Sequence, residues 1–517
     1  MRTTRQIGAW FIGSVILVSV LMGTASAARS QPQRAGSSLP AIQDKFLYLP
    51  LIATSSAGND WLQFNVDPQH SGSTAAETRL TAGNVASLTK LFQVSLPDVA
   101  DGAPVYLSAV STTLGIKNIV YVTTRDGHIV ALDAYTGSTV WSKQKGGVRY
   151  TTSSPAIDPR RQFVYSYGLE GKVHKYQAGD GSEVLSSAWP ETATLKADVE
   201  KGSSPLGIAT SNGVSYLYVA NGGYPGDAGD YQGHITAINL ADGAQRVFNT
   251  MCSNQAVHFN YSTPDCPGKQ SAIWARAAVV YHSDTNKIYM ATGNGTFAPA
   301  SFDWGDTVFS LRPDGTGANG KPLNSYTPVN YQFLQDTDQD IGSTNVAILP
   351  TTLTSTVRHL AVQGGKDARL RLIDLDKMSG PGGPGLTGGE VFSMTVPQGG
   401  EILTAIAVWV DPVDKSTWAF VANGNGISGL QVTYTGGNVP RLTTRWNKPD
   451  GGTSPVVVNS VVYYAGSNNI HALDPKSGNE LWNDTKYVGG IHWESPIVVN
   501  GVVYITDENA HLTAYTR

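Results

Sequence analysis

Short runs of β-branched and aromatic residues, separated by turn residues, repeat along most of this chain. The clearest example lies at 119–132, where Ile119 to Thr123 and His128 to Leu132 flank the pair Asp126 and Gly127. Runs of this composition favour β-strands, and an Asp-Gly pair between two of them is a strong signal for a tight hairpin turn. The segment therefore predicts two antiparallel strands.

Turn residues then lead the chain into a third strand. Asp133 and Gly137 bracket the next turn, because an Asp side chain bonds backbone N–H groups further along and Gly accepts a positive φ. Ser138 to Trp141 begins the third strand, and Pro104 to Val110 supplies a fourth on the other side. The pattern predicts a four-stranded antiparallel sheet.

The same pattern returns near the C-terminus, at 461–482. Two copies this far apart with one internal spacing indicate a repeat protein whose unit is the sheet. We expect the shared positions to serve structure and not chemistry. They are Ala131, Asp133, Gly137 and Trp141 in the first copy, and Ala472, Asp474, Gly478 and Trp482 in the second.

An Ala-x-Asp sequence followed by Gly and Trp resembles the repeat of the quinoprotein (pyrroloquinoline quinone) dehydrogenase-like β-propellers. The resemblance covers nearly all of the chain after Trp61. It implies an all-β fold in which eight four-stranded antiparallel blades form a ring. It also implies that the repeat Trp, at 141 and 482, locks neighbouring blades together.

The number of blades can be counted from the turns that precede the innermost strands, here called inner turns. We predict eight blades, with seven as the alternative if one middle unit is divided wrongly. The inner turns are Ala103-Pro104, Ser154-Pro155, Ser204-Pro205, Trp274-Ala275-Arg276, Gly342-Ser343-Thr344, Thr404-Ala405, Ser454-Pro455 and Ser495-Pro496. Insertions widen some of the gaps: Tyr224 to Tyr231, Cys252 to Cys266, Phe297 to Trp304, Tyr326 to Asp340 and Gly380 to Gly389.

One further strand, Leu88 to Leu96, has no partner nearby in the sequence. Aligning His128 to Ala131 with His511 to Ala514 shows that the last repeat stops at Arg517, where its outermost strand is due. An open sheet edge would expose unpaired backbone donors and acceptors. We therefore predict that the N-terminal strand pairs into the final blade and closes the ring.

The first 27 residues have the form of an export signal. Arg2 and Arg5 precede an apolar run at 7–22, and the small residues at 25–27 form a cleavage site. Apart from this run, which is short for a spanning helix, no stretch approaches a transmembrane length. We expect a secreted, extracytoplasmic protein.

Two further regions follow the signal. Residues 28–60 are rich in Ser and Pro and predict a linker; within it, the role of Phe46 to Ala53 stays open between a docked strand and an attachment element. Residues 61–517 are expected to form a single propeller. Cys252 and Cys266 are the two cysteines of the chain, and in an exported protein we expect them to form a disulfide.

Composition argues for a β architecture and against nucleic-acid binding and a zinc site. The chain has 56 Gly and 23 Tyr with only 15% charged residues, which suits a turn-rich β architecture. Its formal net charge of −4 is nearly balanced, and no block of Lys and Arg offers a track for nucleic acid. The ten histidines lack zinc-ligand spacing.

Inner turns and long insertions border the central channel of a propeller, so chemistry is expected there. Carboxylates and an amide that the core pattern does not require gather in these segments, and such oxygen donors suit a hard cation such as calcium. The alternative is that they are turn residues and solvated loop charges. They are Asp227, Asp230, Asn294, Asp336, Asp338 and Asp340.

The resemblance assigns a cofactor site to some of these positions. The segment 281–294 is similar to the quinoprotein segment whose final Asn binds calcium, which gives Asn294 that role. Asp227 or Asp230 lies near the family's carboxylate ligand, at a different spacing. Trp274 resembles the Trp beneath the quinone ring, with Arg276 as the alternative.

The resemblance also implies the catalytic groups. The segment that begins at Tyr326 is similar to the one that carries the catalytic base, and its alignment favours Asp340, which also joins the expected calcium ligands. Lys366 resembles the Lys or Arg at the reactive carbonyl of the quinone. Trp493, with its neighbour His492, is expected to face the channel beside the cofactor.

Together these implications describe an oxidoreductase. Calcium would polarise the quinone, Asp340 would accept the hydroxyl proton of an alcohol or sugar, and Lys366 would stabilise charge on the reduced ring. Electrons would pass to a separate acceptor, because no Cys-x-x-Cys-His is present to attach a haem.

The chain also departs from the family, which opens a second interpretation. The family's adjacent cysteines are replaced within Val148 to Pro155, the Arg that follows them has no matched position, and Thr404-Ala405 stands where Asn-Trp is expected. The Ser-Pro inner turns are similar to those of propellers that bind no quinone. Such a protein would be a secreted scaffold that binds a protein or a glycan.

Overall fold

The computed structural model describes residues 59–225, 227–261 and 266–517. The predicted signal, nearly all of the predicted linker and the segment Phe46 to Ala53 lie outside the described residues. Within the described ranges, no helix has the length and apolar character needed to cross a membrane.

Eight four-stranded antiparallel sheets, numbered here as blades 1 to 8 in chain order, make up the fold, and blades 3 and 7 each carry one extra short strand. The chain enters through β1 (Ser73–Thr74), a 3-10 helix (Val85–Ser87) and β2 (Thr89–Ser95). The predicted eight-bladed all-β propeller is thereby confirmed, and the alternative of seven blades is wrong.

Blades 1 to 4 take up the first half of the ring. Blade 1 contains β3 (Val105–Thr112), β4 (Gly115–Thr123), β5 (His128–Asp133) and β6 (Thr139–Gln144); blade 2 contains β7 (Ala156–Ile157), β8 (Phe163–Gly168), β9 (Lys172–Gln177) and β10 (Glu191–Thr192). Blade 3 contains β11 (Glu200–Gly202), β12 (Gly207–Ser211), β13 (Val214–Gly223), β14 (His234–Asn239) and β15 (Gln245–Asn249). Blade 4 contains β16 (Val280–His282), β17 (Lys287–Ala291), β20 (Val308–Leu311) and β21 (Asn324–Tyr326), and carries a hairpin of β18 (Phe297–Ala298) and β19 (Asp303–Trp304).

Blades 5 to 8 complete the ring. A short helix α1 (Tyr331–Asp336) precedes blade 5, which contains β22 (Ala347–Leu349), β23 (Leu360–Gln363), β24 (Arg369–Asp374) and β25 (Phe392–Thr395). Blade 6 contains β26 (Ala407–Val410), β27 (Thr417–Asn423), β28 (Gly426–Tyr434) and β29 (Pro440–Lys448). Blade 7 contains β30 (Val456–Val458), β31 (Val461–Gly466), β32 (Asn469–Leu473) and β33 (Glu480–Asp484), and blade 8 contains β34 (Ile497–Val499), β35 (Val502–Asp507) and β36 (His511–Thr516).

The repeat positions do what the pattern predicts. Asp133 Oδ1 accepts hydrogen bonds from the backbone N–H groups of Tyr135 and Thr136, and Gly137 has a φ of 71°. Trp141 Nε1 donates to the carbonyl oxygen of Ala178 in blade 2 at 2.9 Å. The Trp of the repeat therefore fastens one blade to the next, as expected.

The ring is closed by its two ends. Strand β2 pairs antiparallel with β36, with Gln93 opposite Thr513, and supplies the fourth strand of blade 8. Trp482 Nε1 in blade 7 donates to the carbonyl oxygen of Leu88 just before that strand, at 3.1 Å. The predicted closure by the N-terminal strand is confirmed.

Hydrogen bonds also join every neighbouring pair of blades around the hub. In several of them the hydroxyl of an inner-turn Ser or Thr is the donor or acceptor, which gives these residues a structural role. From blade 1 back to blade 1, the bonds are Ala103 N to Ser154 Oγ, Leu206 N to Ser154 O, Ser204 Oγ to Ile273 O, Asn345 Nδ2 to Ala278 O, Ser343 Oγ to Ile402 O, Ala405 N to Ser454 Oγ, Thr453 Oγ1 to Glu494 O and Thr506 Oγ1 to Gly102 O.

The segment 59–74 lies across one end of the channel. Its backbone and side chains hydrogen-bond to innermost strands on several sides of the ring, in blades 1, 2, 3, 4, 6 and 7. Trp61 and Phe64 are buried, and Ser73–Thr74 runs parallel to β30 of blade 7. A single stretch of chain with these contacts must span the channel, so the hub is a pocket closed at this end.

Two loop features complete the description. Cys252 and Cys266 form the predicted disulfide, which closes a loop in the insertion after blade 3. The insertion Tyr326 to Asp340, interpreted from the sequence as a loop, contains the helix Tyr331–Asp336. Leu334, on this helix, is fully buried and anchors it against the core.

Candidate active site

A cavity of about 320 Å³ lies at the hub, bordered by inner turns and insertions of blades 2 to 5 and 8. Its size is at the lower end of the range typical of small-molecule sites. The lining residues are Tyr150, Thr152, Lys201, Ser203, Gly223, Tyr224, Pro225, Asp227, Tyr231, Ala272, Trp274, Arg276, Gly293, Asn294, Asp338, Asp340, Lys366, His492 and Trp493.

Most of the residues selected from the sequence meet in this cavity. The structure places nine of the eleven there: Asp227, Trp274, Arg276, Asn294, Asp338, Asp340, Lys366, His492 and Trp493. They come from positions far apart in the chain, and the closed ring brings them together.

Asp336 and Asp230 are the predicted residues that do not line the cavity. Asp336 ends helix α1, and its Oδ1 accepts a hydrogen bond from Gln332 Nε2 at 2.9 Å. The carboxylate of Asp230 lies 3.9 Å from the Nζ atoms of Lys196 and Lys269, and its side chain is 44% exposed. The neighbouring Tyr231 is buried and lines the cavity instead. The blade 3 insertion therefore turns Asp230 away from the cavity, where it lies near the buried Lys196 and the exposed Lys269 and is not available as a calcium ligand in the cavity.

Asp340 sits at the centre of a small charged group. Its Oδ2 lies 2.7 Å from Lys366 Nζ, and its Oδ1 accepts a hydrogen bond from Trp274 Nε1 at 3.3 Å. Lys366 Nζ is also 2.8 Å from Asp338 Oδ1 and 5.3 Å from the centre of the Trp274 ring. Trp274 from the inner turn of blade 4 and Lys366 from the turn between β23 and β24 thus fix the position of the Asp340 carboxylate.

For both groups of this pair, burial and the charge of the partner shift the pKa in opposite directions. Burial raises the pKa of Asp340 to about 6, although the charge of Lys366 lowers it. Burial lowers the pKa of Lys366, but the charge of Asp340 outweighs it and the pKa of the lysine ends above its ordinary value. At pH 7 the site therefore holds a carboxylate and an ammonium group.

Asp306 is a buried carboxyl group next to this pair that sequence reasoning missed. Its Oδ1 accepts a hydrogen bond from the Ile341 N–H at 3.3 Å, and its Oδ2 has no partner among the described residues. Burial and then the charge of Asp340 raise the pKa of Asp306 to about 8. Asp306 is therefore neutral at pH 7, and no local sequence pattern marks it.

Two buried cations, Lys201 and Arg276, also line the cavity. Lys201 is 8% exposed, and its Nζ lies 4.6 Å from the ring centre of Tyr150 and 5.8 Å from that of Tyr224. Burial lowers its pKa to about 8. The signal in the sequence that points to this residue is its place just before the inner turn at 204–205.

Arg276 is fully buried below the cavity wall. Its Nη1 donates to the carbonyl oxygens of Thr152 and Ser203, at 3.0 and 3.2 Å. Its guanidinium lies 5.9 Å from the ring centres of both Phe64 and Trp493. Burial lowers its pKa to about 10, which leaves it charged at neutral pH.

Two indole rings provide the apolar part of the lining. The rings of Trp274 and Trp493 are 6.2 Å apart and inclined at 67°. The backbone N–H of Trp493 donates to Asp101 Oδ1 at 3.2 Å, and His492 Nδ1 lies 2.9 Å from Asp101 Oδ2. Asp101 therefore holds the last inner turn, and with it Trp493, against the cavity.

The oxygen donors expected to bind calcium are only partly assembled. Asn294 Nδ2 donates to the Gln335 carbonyl at 3.3 Å, and Asp227 accepts a hydrogen bond from the Tyr231 hydroxyl. Asp340 is already paired with Lys366. The cavity thus offers Asn294 and Asp227 as its most available oxygen ligands, fewer than the six to eight that calcium takes.

A second cluster of potential ligands lies beside the cavity. In the part of the chain that the structure describes, one group of three acidic or His residues has its ligand atoms within 4.8 Å, namely Asp101, His492 and Glu508. Arg125 Nη2 lies 2.9 Å from Asp101 and 2.7 Å from Glu508. The guanidinium occupies the position that a metal ion would take, so this cluster is an ion-pair network.

Two segments of the chain match models of known families. Residues 61–296 match the model described as glucose/ethanol/alcohol dehydrogenase, beta-propeller domain. Residues 418–517 match the model described as outer membrane protein assembly factor BamB. None of the curated proteins compared with the chain matches it.

Solved structures similar to this one include dehydrogenases. A europium-containing methanol dehydrogenase matches with a TM-score of 0.62 and 14% identity, over 89% of this chain and 98% of that chain. A quinohemoprotein alcohol dehydrogenase from Pseudomonas putida HK5 matches with a TM-score of 0.59 and 12% identity, over 88% and 80%. A quinohemoprotein alcohol dehydrogenase from Comamonas testosteroni matches with a TM-score of 0.59 and 14% identity, over 88% of this chain and 80% of that chain. At these identities the likeness establishes the fold.

Proposed function

We propose that this β-propeller of the quinoprotein dehydrogenase-like repeat family is an extracytoplasmic oxidoreductase that uses a quinone cofactor to oxidise a hydroxyl group of an alcohol or sugar. The observation that carries the proposal is the buried Asp340 carboxylate, 2.7 Å from Lys366 Nζ, in a cavity lined by Trp274 and Trp493. A carboxylate in such surroundings is suited to accept a proton from a bound hydroxyl group.

The residues present fit a planar, electron-accepting ring. The indoles of Trp274 and Trp493 offer apolar surface, and Lys366 brings a positive charge to the same wall. Pyrroloquinoline quinone, when bound, would supply the two-electron acceptor that the amino acid side chains lack. Trp274, Trp493, Arg276 and Lys366 are the residues that would hold it.

The chain's own residues would position and deprotonate the substrate. Asp340 would take the hydroxyl proton on its carboxylate, which is held in place by Trp274 Nε1 at Oδ1 and by Lys366 Nζ at Oδ2. Lys366 would keep Asp340 ionised and would stabilise negative charge that develops nearby. With a pKa of about 6, Asp340 has the required charge at neutral pH.

Calcium forms a separate part of the proposal. Asn294 and Asp227 would supply oxygen ligands at the cavity rim, and the remaining ligands would come from the cofactor and water. Asp340 would serve as a ligand only if its ion pair with Lys366 were loosened. A second protein would accept the electrons, since the sequence has no haem-attachment motif.

The test combines binding with turnover. We expect saturable binding of pyrroloquinoline quinone to the purified protein with added calcium, and dye-linked oxidation of an alcohol or sugar. Asp340→Asn should retain binding and lose roughly 10²- to 10⁴-fold in rate, the usual contribution of a general base. The control is Asp284→Asn, an exposed acid outside the cavity. Absence of quinone binding, with and without calcium, would refute the proposal.

A second candidate function is favoured by the match of residues 418–517 to the assembly-factor model. In that case the protein would be a non-catalytic propeller that binds a protein or a glycan through its rim loops. It would bind no quinone, and substitutions at Asp340 and Lys366 would leave partner binding unchanged.

A further inference from the structure

Two histidines from neighbouring blades meet at the end of the ring that segment 59–74 closes. His282 ends β16 of blade 4, and His359 directly precedes β23 of blade 5. Their ring centres are 5.4 Å apart, and the ring planes are inclined at 73°. Next to His282, the Tyr281 N–H donates to the carbonyl oxygen of Pro68 in segment 59–74. The pair therefore lies at the opposite ends of the strands from the inner turns that border the hub cavity.

A pocket of about 620 Å³ opens onto both imidazoles. The turn after β16, the loop between β22 and β23 and the side chain of Gln69 line it. None of its lining residues belongs to the hub cavity. The two histidines thus face a separate space that solvent and a small ligand can enter.

His359 is held in the way that metal-binding histidines usually are. Its Nδ1 lies 2.9 Å from each carboxylate oxygen of Asp376. A carboxylate accepts hydrogen bonds, so Nδ1 carries a proton and the lone pair of the neutral ring is on Nε2. Nε2 is buried and has no partner among the described residues. A carboxylate at one ring nitrogen fixes the tautomer and makes the other nitrogen a better ligand.

His282 is oriented through the same ring position. Its Nδ1 lies 3.3 Å from Thr285 Oγ1, and that oxygen also accepts a hydrogen bond from the Tyr289 hydroxyl at 3.0 Å. These bonds use Nδ1, so Nε2 is the nitrogen of His282 that is left to bind a metal ion.

The separation of the two rings suits one shared ion. A zinc–nitrogen bond of about 2.0–2.1 Å places the metal about 3.2 Å from the centre of an imidazole, and a tetrahedral angle then separates two ring centres by about 5.2 Å. The observed 5.4 Å is close to this value. The pair also differs from the cluster of Asp101, His492 and Glu508, because the ion-pair partner of His359 is the anion Asp376 and not a guanidinium group.

We propose that His282 and His359 form a binding site for a divalent transition metal ion of the Zn²⁺ and Cu²⁺ class, with water from the pocket at the remaining positions. Imidazole nitrogen suits these ions, whereas calcium takes oxygen ligands. The bound ion would link blade 4 to blade 5 at the closed end of the ring. The inference does not depend on the proposed oxidoreductase function.

The first experiment is calorimetric titration of the purified protein with Zn²⁺, after removal of any affinity tag and with calcium in excess. We expect one ion per chain. His282→Gln and His359→Gln should each weaken binding at least about 100-fold, and Asp376→Asn should weaken it about 10- to 100-fold, because it removes the group that orients His359.

His471 provides the matched control. Its Nδ1 lies 2.7 Å from Glu480 Oε2 and its Nε2 has no partner among the described residues, but its ring stacks on Tyr464 and not on a second imidazole. His471→Gln should therefore leave Zn²⁺ affinity unchanged. A loss as large as that in His359→Gln would show that a carboxylate-paired histidine is sufficient, and would overturn the two-histidine site.

The second experiment needs no stable variant. One equivalent of Cu²⁺ bound to the wild-type protein should give an electron paramagnetic resonance spectrum with coupling to two imidazole nitrogens, reduced to one in either single variant. Absence of Zn²⁺ binding, coupling to fewer than two nitrogens, or spectra that neither variant alters would each overturn the inference. All of these results are independent of quinone binding and alcohol oxidation.

Discussion

Trp141 in blade 1 and Ala178 in blade 2 are joined by a hydrogen bond of 2.9 Å from the indole Nε1 to the carbonyl oxygen. The contact depends on a glycine: a Cβ atom at Gly181 would lie 2.6 Å from the Trp141 ring. Trp446 and Gly478 show the same arrangement between blades 6 and 7, with a Cβ distance of 2.7 Å. The repeat therefore encodes the junction between blades as well as the sheet.

Replacing this glycine should separate steric overlap from backbone strain. Gly181→Ala should lower the free energy of unfolding by about 1–3 kcal/mol for overpacking, plus ~1 kcal/mol for a side chain at positive φ. Gly399 has a similar φ of 66° but open space around it, so Gly399→Ala should show the second effect alone. Equal losses in chemical denaturation would contradict the role assigned to the Trp contact.

Closure of the ring can be tested by a disulfide. Gln93 and Thr513 are opposite each other in β2 and β36, and their side chains are 3.0 Å apart between Nε2 and Oγ1. The pair Gln93→Cys and Thr513→Cys should cross-link and raise the free energy of unfolding by up to about 5 kcal/mol, because the bond closes a very long loop.

The measurement compares denaturation midpoints with thiols oxidised and reduced. Wild type and the single Gln93→Cys variant control for the native Cys252–Cys266 disulfide. Two free thiols in the folded double variant would show that the two strands are not neighbours.

Glu494 should make stability depend on pH. It is fully buried, its Oε1 has no partner among the described residues, and burial followed by the charge of Asp101 raises its pKa to about 9. Between its ordinary pKa of 4.5 and 9 the folded state binds more protons than the unfolded state, so stability falls as pH rises through this window.

Glu494→Gln removes that titration. We expect the variant to exceed wild type in free energy of unfolding at pH 9 by at least about 1 kcal/mol, and to match it more closely at pH 5. Glu401→Gln, an exposed position, is the control. Parallel stability curves for wild type and Glu494→Gln would show that the group does not change its proton occupancy on folding.

Local patterns were sufficient for the architecture. The Asp-Gly hairpin, the Asx turn at Asp133 and the spacing to Trp141 are encoded within about twenty residues. Each repeat encodes the same four-stranded sheet. Strand β2 could be placed because the last repeat lacks one strand and a sheet edge must be paired. Asp340, Lys366 and Trp274 could be selected because the segments that contain them resemble motifs of the family.

The sequence by itself therefore determined the repeat, the number of blades, the closure and most of the residues that meet at the hub. Only the tertiary structure decided that 59–74 spans the channel, that Asp230 faces outward, and that Asp306 and Lys201 are buried beside the site. The reason is physical: strand and turn formation depend on neighbours in the chain. Burial, charge pairing and the pKa of a side chain depend on groups hundreds of residues away, which only the folded ring brings within a few ångströms.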